Sequence, residues 1–517
     1  MARPEMRLKK HAAALSRREL LRVGSLLVPA ATFVPGIFTR VAHAQTPPTF
    51  DYYIAPNGSD SNPGTEGSPW AITAINSKRS TYSGKRVGLL NGTYNVGFLM
   101  STTRDAPALN IDGGSSGSPT FIGAVNARQA IITANNGSYG GGNGNQSSML
   151  AHNKSVPHQG YVTVDGLVLS GASTFCFEVG NYDFTNNALP GVVLQNCEIT
   201  GNSAANSSVA SGVNLCVIAL FKATGFRCHN CYIHDNFGWS DASHFSATYV
   251  WQSQGTTFEY CTLVNTGGLH GKEAANQGTT IQYNYIDWTN GPTGQNGACI
   301  MGFDGAPQGG LTQTTSIHNN ILLGNDEFMD LEAELNNGGW TTPVLIYNNT
   351  MISTSGISDD GVRWFEQNPG SKLLKFYNNL FFDSGHAPGG YGYVIANSGA
   401  FALCDYNCYG GSSRWTLVPP GSHSSAGANT YSSLSAWQAA ISADAHSQNG
   451  VAAFSNGGAL AQKYRVTSGL AYQAGKVGGV SSGATVNIGA WDGIATQIGS
   501  STTGGVTIPD PPILSVS

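Results

Sequence analysis

The chain of 517 residues is poor in charge, with 25 Lys and Arg, 30 Asp and Glu, and charged residues at 11% of the total. A net negative chain without a basic stripe has no cations with which to release counterions from phosphates, so nucleic acid is excluded as a partner. The 67 glycines also argue against a fold built from paired amphipathic helices.

The first 44 residues predict a twin-arginine signal peptide. A basic start leads to Ser16-Arg17-Arg18-Glu19-Leu20-Leu21, an apolar run over about 24–38, and the small-residue cleavage site Ala42-His43-Ala44. A membrane anchor is the alternative, but prolines interrupt a run that is already short for a bilayer. We expect a periplasmic or secreted protein with no membrane contact after cleavage. Cleavage would leave 17 basic and 28 acidic residues, a net charge of −11.

Self-similar segments recur along the middle of the chain. Each has a polar or aromatic pair, then a marker Asn or Cys, then an aliphatic or aromatic residue: QNCEI (195–199), HNCYI (229–233), EYCTL (259–263), QYNYI (282–286), HNNIL (318–322), YNNTM (347–351), YNNLF (377–381) and YNCYG (406–410). The markers lie 34, 30, 23, 36, 29, 30 and 29 residues apart, and Gly166 adds an interval of 31. Such a period indicates a solenoid, whose repeats bury their apolar faces against one another.

The composition of each repeat favours strands over helices. The repeats are rich in Val, Ile, Thr, Tyr and Phe, and no period of 3.6 is sustained. Asn side chains stacked at one inward turn would satisfy the backbone of successive coils. We predict an all-β parallel β-helix over 45–495 and a flexible tail over 496–517. Near its end we predict a short helix from Ser433 to Ala445, with one face formed by Leu434, Trp437, Ala440 and Ile441.

Four of the nine cysteines fall on the marker position: Cys197, Cys231, Cys261 and Cys408. Their spacing copies the coil period, so we expect them to point inward and stack with the Asn residues. The close pairs Cys228/Cys231 and Cys404/Cys408 suggest zinc as an alternative, but periodicity explains them without a metal. A disulfide between neighbouring coils remains open.

Both ends of the mature chain resemble a known family. The segments are YYIAPNGSDSNPGT (52–65), SPW (68–70) and NGTY (91–94) at one end, and DAHS (444–447) and VNIGAWDG (486–493) at the other. They are similar to exported, single-stranded right-handed parallel β-helix proteins of the pectate-lyase-like superfamily, which contains polysaccharide lyases and glycoside hydrolases. The resemblance implies that fold and cleavage of a polysaccharide, and it assigns no subfamily. We also expect a monomer.

One predicted strand carries an unusual row of acids. Over 327–336, Met329 and Leu331 alternate with Phe328 and with three carboxylates, Asp330, Glu332 and Glu334. A period of two places the apolar set inside and the acids outside in one row. Acids about 7 Å apart repel one another, and either a cation bound between them or one acid kept protonated would relieve that repulsion. Our hypothesis for the cation is Ca²⁺, with Asp304, Asp330 and Glu332 as ligands.

Neighbouring coils supply further polar residues to the same face. The predicted catalytic residues are Lys272, His270, Asp304 and Glu332, and the predicted substrate-binding residues are His244, Trp251, Glu334, Arg363, Trp364 and Glu366. Stacked strands are only about 4.8 Å apart, so residues from adjacent coils can form one cleft floor. A solvated polar face without chemistry is the competing interpretation, but clustering in a chain so poor in charge favours a site.

Two chemistries fit this floor, and neither needs an organic cofactor. In calcium-assisted β-elimination, Lys272 removes the proton next to a uronate carboxylate and the glycosidic oxygen leaves. In hydrolysis, Asp304 and Glu332 act as a carboxylate pair. A non-catalytic surface protein that binds glycans is the third hypothesis, because one solenoid fold hosts many functions.

Overall fold

The computed structural model describes residues 49–96, 107–134, 148–153, 155–172, 175–181, 187–202, 215–236, 245–271, 276, 278–289, 298–302, 313–324, 327–332, 342–353, 360–365, 372–383, 392–410, 414–419, 427–450, 452–455, 460–491, 497–500, 502–503 and 506–507. The predicted signal peptide lies outside these ranges. None of the helices within them has the length and hydropathy needed to span a bilayer.

Three sheets of 12 strands each run along the chain. Sheet 1 consists of Tyr52–Ile54, Arg86–Leu89, Thr120–Ala124, Val162–Asp165, Val193–Gln195, Arg227–His229, Thr257–Glu259, Thr280–Gln282, Thr315–His318, Val344–Tyr347, Leu374–Tyr377 and Phe401–Asp405. Sheet 2 consists of Leu109–Asn110, Ser148–His152, Phe175–Val179, Leu215–Phe221, Phe245–Trp251, Leu269–Gly271, Ala298–Met301, Glu327–Glu332, Asp360–Phe365, Gly392–Asn397, Trp415–Val418 and Asn429–Tyr431. Sheet 3 consists of Gly92–Asn95, Ala130–Thr133, Val168–Ser170, Glu198–Thr200, Tyr232–His234, Thr262–Val264, Tyr285–Asp287, Ile321–Gly324, Thr350–Ser353, Leu380–Asp383, Cys408–Tyr409 and Gln448–Asn449.

Successive coils pair in parallel, except that Asn429–Tyr431, the last strand of sheet 2, pairs antiparallel with Trp415–Val418. The parallel strands stay in register from one coil to the next, apart from a shift between Leu374 and Lys375. In sheet 1, for example, Leu194 pairs with Cys228 and Cys228 with Phe258, one coil to the next. The inward residues of all three sheets form one continuous apolar core. The predicted all-β, right-handed parallel β-helix is therefore confirmed, and its three faces are sheets 1, 2 and 3.

An asparagine ladder runs inside the turn between sheets 1 and 3. It consists of Asn284, Asn320, Asn349, Asn379 and Asn407, all fully buried. The side-chain oxygen of each of the first four accepts a hydrogen bond from the coil before it. The side-chain amide of each donates to the side-chain oxygen of the next Asn, at 3.0–3.3 Å. Each also donates to a backbone carbonyl of the preceding coil, as Asn349 does to Ile317 at 2.9 Å. The ladder thereby satisfies polar groups that the dry interior would leave unpaired.

The residue before each ladder position adopts a left-handed conformation. Its φ lies between 54° and 56° in all eight coils of the series: Asn196, Asn230, Tyr260, Tyr283, Asn319, Asn348, Asn378 and Tyr406. Asn tolerates this region better than most residues, which explains the recurrent Asn-Asn and Asn-Cys pairs. One strained residue therefore makes the corner between sheets 1 and 3.

All nine cysteines are buried free thiols. Cys197, Cys231 and Cys261 occupy the ladder position, as predicted, and donate to the carbonyls of Val164, Leu194 and Cys228 at 3.6–3.9 Å. The corresponding prediction for Cys408 is wrong. The left-handed Tyr406 places Asn407 on the ladder, so Cys408 begins the next strand and points outward against Leu380 and Ile488.

Short elements close the two ends of the solenoid. Helices Ala74–Ser77 and Arg79–Tyr82 pack beside the first coils, and helix Leu434–Ile441 lies near the last. The third helix confirms the predicted start, with the Ser433 hydroxyl accepting from Ala436 N–H and Trp437 fully buried, but it ends at Ile441 and not at Ala445, because Ser442 is left-handed. Two 3₁₀ turns, Leu460–Tyr464 and Val477–Gly479, and four two-stranded pairings complete the fold: Leu189–Pro190 with Ala223–Thr224, Ala452–Phe454 with Val466–Gly469, Gly475–Lys476 with Thr485–Val486, and Thr502–Thr503 with Val506–Thr507.

A flexible tail was predicted from residue 496 onward, but residues 497–500 pack against the solenoid. Ile498 is buried, and Ser500 donates its N–H to the Thr262 hydroxyl at 2.6 Å. The Ser500 hydroxyl also donates to the Asn230 carbonyl at 3.2 Å. Residues 497–500 therefore lie along sheet 3, because these backbone groups find partners there.

Candidate functional site

The outward face of sheet 2 carries one column of residues at a common register. From coil to coil the column runs Ala151, Glu178, Ala219, Tyr249, His270, Met301, Asp330, Arg363, Ile395 and Thr416. Residues on either side of several members, such as Met329 and Leu331 around Asp330, belong to the core. The described side chains of this column therefore face away from the core, and we call the set the sheet 2 column.

Its ionisable members are buried despite facing outward. Glu178 and His270 are 1% exposed, Tyr249 is 2% exposed and Asp330 is 8% exposed. Charged side chains are rarely buried in this way unless they are paired or serve a function. The sheet 2 column thus differs from an ordinary solvated face, which is the alternative that the sequence left open.

Arg363 and two acids form the charged centre of the column. The guanidinium contacts Asp330 on the adjacent strand, with Nη1 3.2 Å from Oδ2, and its Nη2 is paired with Glu327. All three side chains are largely buried, at 19% exposure for Arg363 and less for the acids. The planar guanidinium can hold two carboxylates at once, and the described trio keeps an excess of one negative charge.

The described residues do not by themselves form a calcium site. Calcium takes six to eight oxygen ligands. Of the predicted ligands, Asp330 shares its carboxylate with Arg363, Asp304 lies outside the described residues, and only the backbone of Glu332 is described. A second cation placed beside the guanidinium would also be repelled by it.

His270 lies two strands before Asp330 in the same column, a separation of about 10 Å at the standard strand spacing. Its backbone N–H donates to the Thr248 hydroxyl at 3.0 Å, and its ring lies 6.1 Å from that of Tyr249, centre to centre. The structure thus places His270, Asp330 and Arg363 in one column, with His270 two strands away from the Asp330–Arg363 pair. Their placement follows from period-two alternation within each strand and one-coil stacking between strands.

Two predicted sugar-stacking residues are buried and correct the sequence analysis. Trp364 pairs with Leu331 and is fully buried in the core, because its neighbour Arg363 takes the outward position. Trp251 faces outward but is 2% exposed, with its ring stacked on Phe221 at 4.7 Å. Neither indole presents a face to a sugar ring. Phe328, expected outside, also packs in the core.

An outward aromatic cluster includes two members of the sheet 2 column, Ala219 and Tyr249. It consists of Phe175, Cys216, Ala219, Phe221, Tyr249 and Trp251. Glu178 pairs with Ala219 in register and so places a carboxylate among these apolar groups. Sequence reasoning missed Glu178, although a single Glu in the apolar strand Phe175–Val179 was a usable signal. It also missed Glu327 as the second partner of Arg363.

The remaining predicted site residues lie outside the described residues. They are Lys272, Asp304, His244, Glu334 and Glu366, and the side chain of Glu332. The structure leaves the predictions for these residues as they were.

A second ionisable cluster lies on sheet 3, away from the sheet 2 column. His234 Nδ1 is 2.7 Å from Asp235 Oδ2, and Nε2 is 3.3 Å from Glu198 Oε1. Burial lowers the pKa of His234, but hydrogen bonds to Glu198 and Asp235 outweigh that effect and raise the pKa above its usual value. Arg128 Nη1 also lies 3.7 Å from Glu198. The cluster is an ion-paired surface network rather than part of the candidate site.

Comparison with solved structures identifies the fold. A pectate lyase, Pel9A, superposes with a TM-score of 0.50 at 16% identity, covering 85% of this chain and 96% of its own. A rhamnogalacturonan lyase covers 64% of this chain and 81% of its own, with a TM-score of 0.41 at 14% identity. A lacto-N-biosidase from Eubacterium ramulus covers 69% and 60%, with a TM-score of 0.37 at 15% identity. No protein-family model and no curated protein sequence matches the chain. The chain therefore shares the right-handed parallel β-helix fold of the pectate lyase Pel9A.

Proposed function

We propose that the protein is a carbohydrate-active enzyme that cleaves a uronate-containing polysaccharide by β-elimination on the outward face of sheet 2. The observation that carries this proposal is the sheet 2 column, where a buried histidine, the Asp330 carboxylate and an arginine occur at one register and Glu327 is the second partner of that arginine. The shared fold with a pectate lyase supports it. Proton abstraction from the carbon next to a carboxylate requires a base and a positive group beside that carboxylate.

Arg363 is the candidate for binding the uronate carboxylate. Its guanidinium is held in place by Glu327 and Asp330, so little side-chain entropy is lost when a substrate binds. A guanidinium has five N–H donors and is not limited to two acceptors. We assign the proton-abstracting role to Lys272 or His270, which lie two residues apart in the sequence.

Calcium dependence is the finer part of the proposal. Calcium would supply positive charge next to the uronate carboxylate and so compensate for the acidic surface of the mature chain. Because the described residues do not complete a calcium site, no step above depends on the metal.

A glycoside hydrolase is the second candidate. The observation that favours it is the excess of carboxylate around Arg363, since hydrolysis needs two acids on either side of the scissile bond. Asp304 and Glu332 remain the proposed pair.

The deciding experiment offers the mature protein acidic and neutral polysaccharides, with calcium or with a chelator. Ultraviolet absorbance detects the unsaturated product of elimination, and a separate assay counts new reducing ends. Elimination predicts both signals, and loss of both in chelator would support calcium. Reducing ends without absorbance would replace the lyase with the hydrolase. Silence on every polymer, combined with glycan binding, would favour the non-catalytic binding protein.

Variants locate the activity. We expect His270→Gln and Arg363→Lys to lower kcat/KM at least tenfold, because each replaces a group placed to act on substrate. Lys375→Ala, exposed on sheet 1, is the matched control and should leave the rate unchanged. Thermal unfolding of each variant separates lost chemistry from lost folding. Full activity in both column variants would place the site elsewhere.

A further inference from the structure

Three buried thiols lie close together inside the solenoid, and none of them belongs to the candidate site. The Sγ atoms of Cys228, Cys231 and Cys261 all lie within 4.8 Å of one another. Cys228 Sγ and Cys261 Sγ lie 3.7 Å apart, although 33 residues separate them in sequence. All three residues are at most 1% exposed.

Cys228 is the unexpected member of the trio. Cys231 and Cys261 occupy the ladder position, where a thiol replaces the amide of the later coils. Cys228 instead occupies an inward position of sheet 1, between Leu194 and Phe258 in register. A cysteine among these inward, apolar residues of sheet 1 places a third sulfur next to Cys231 and Cys261.

The dry interior decides what such a cluster can become. A thiolate-bound metal would leave net negative charge in the apolar core, and three sulfurs supply one ligand fewer than zinc requires. A disulfide is neutral and leaves no buried charge. The hydrogen bonds that the thiols give to backbone carbonyls are weak, at 3.4–3.6 Å, so their loss costs little.

We propose that Cys228 and Cys261 form a disulfide between neighbouring coils when the folded protein meets hydrogen peroxide. One thiol attacks the peroxide, breaking its O–O bond and giving a sulfenic acid and water. The second sulfur then attacks the sulfenic sulfur, forming the S–S bond and releasing a second water. Two thiols are oxidised by two electrons, and one peroxide is reduced to two waters.

The predicted export route implies that folding precedes oxidation. The twin-arginine signal implies that the chain folds before it reaches an oxidising compartment. The solenoid would therefore bring the two sulfurs together first and exclude wrong pairings among the nine cysteines. The bond joins coils across a 33-residue loop, which restricts the unfolded chain.

The test oxidises the folded, reduced protein with hydrogen peroxide and maps its peptides without reduction. We expect a linked peptide pair containing Cys228 and Cys261, and a fall from nine titratable thiols to seven after denaturation. The oxidised protein should unfold at a higher denaturant concentration than the reduced protein. Adding a thiol reductant to the unfolded chain should restore all nine thiols.

Two variants serve as the comparison. Cys228→Val restores an aliphatic side chain to the column and should abolish both the linked peptide and the shift in unfolding midpoint. Cys404→Val makes the same change at an inward position paired with Phe376 and should retain both. The peptide map of the oxidised parent protein tests the proposal even if one of the variants fails to fold.

Three results would overturn the proposal. They are nine intact thiols after oxidation of the folded protein, a linkage that involves any other pair, or a metal that copurifies in equal amount and is lost in Cys228→Val.

Discussion

The asparagine ladder allows a quantitative test of how the solenoid is held together. In Asn349→Ala, the Asn320 N–H loses its acceptor at 3.1 Å and the Ile317 carbonyl loses its donor at 2.9 Å. Each buried unsatisfied group costs about 1–3 kcal/mol. Two such groups, taken at ~2 kcal/mol each, predict a loss of about 4 kcal/mol in the free energy of unfolding.

Chemical denaturation of the mature protein measures this loss, and amide hydrogen exchange locates it. Repeat proteins open locally, so we expect the fastest increase in exchange in strands Ile321–Gly324 and Thr350–Ser353, which flank the lost side chain. A loss of 4 kcal/mol corresponds to about a thousandfold in the opening equilibrium. A loss below about 1 kcal/mol would refute the reasoning, because it would mean that the orphaned groups find other partners.

Two further substitutions sharpen the comparison. Asn349→Cys keeps a donor for the Ile317 carbonyl, as Cys261 does for Cys228, but removes the strong acceptor of Asn320. Its cost should therefore fall between those of the parent and the alanine variant. Asn126→Ala removes an exposed Asn–Asn hydrogen bond of 3.0 Å and should change stability by less than about 0.5 kcal/mol.

Three other predictions concern single contacts. Hydrogen bonding to His229, with help from Arg227, lowers the pKa of Glu259 to about 2. A carboxyl group whose pKa is lower in the folded than in the unfolded chain stabilises the fold at pH values above the unfolded pKa. This stabilisation is lost as the pH falls from about 4.5 to about 2, so Glu259→Gln should make stability to denaturant less dependent on pH in this range. Trp364→Ala should cost about 3–5 kcal/mol in denaturation because it empties a core position, whereas Trp364→Phe should retain the activity that a sugar-stacking residue would lose. Ser433→Ala should cost about 1 kcal/mol, seen as faster amide exchange in helix Leu434–Ile441, because Ala436 N–H loses its cap.

The solenoid could be predicted from the repeated segments and their composition, because every coil needs the same residue types at the same turn. The left-handed residue and the inward Asn or Cys recur in every marker segment, and their spacing identifies the coil. The prediction failed where the motif itself was ambiguous. In YNCYG both Asn407 and Cys408 match the marker, and only the backbone conformation at Tyr406 selects Asn407.

The site was less predictable because strand parity does not fix burial. Alternation correctly placed Asp330 outside, and in strand Asp360–Phe365 the same alternation separates Arg363, which is outside, from Trp364, which is inside, although both were expected to bind substrate. It could not reveal that Trp251, although outward, is covered and stacked on Phe221. The pairing of Arg363 with Glu327 depends on side-chain reach across strands, which no pattern within one strand contains.

The corner between sheets 1 and 3 bears on how this molecule can change over evolution. Coils of the ladder differ in length from 23 to 36 residues, yet each turns this corner with a single left-handed residue at nearly the same φ. Differences in length therefore accumulate in the other connections, which border sheet 2. Segments beside the candidate site can lengthen, shorten or be exchanged while the ladder and its hydrogen bonds stay as they are. The scaffold and the substrate preference of such a protein can thus diverge independently.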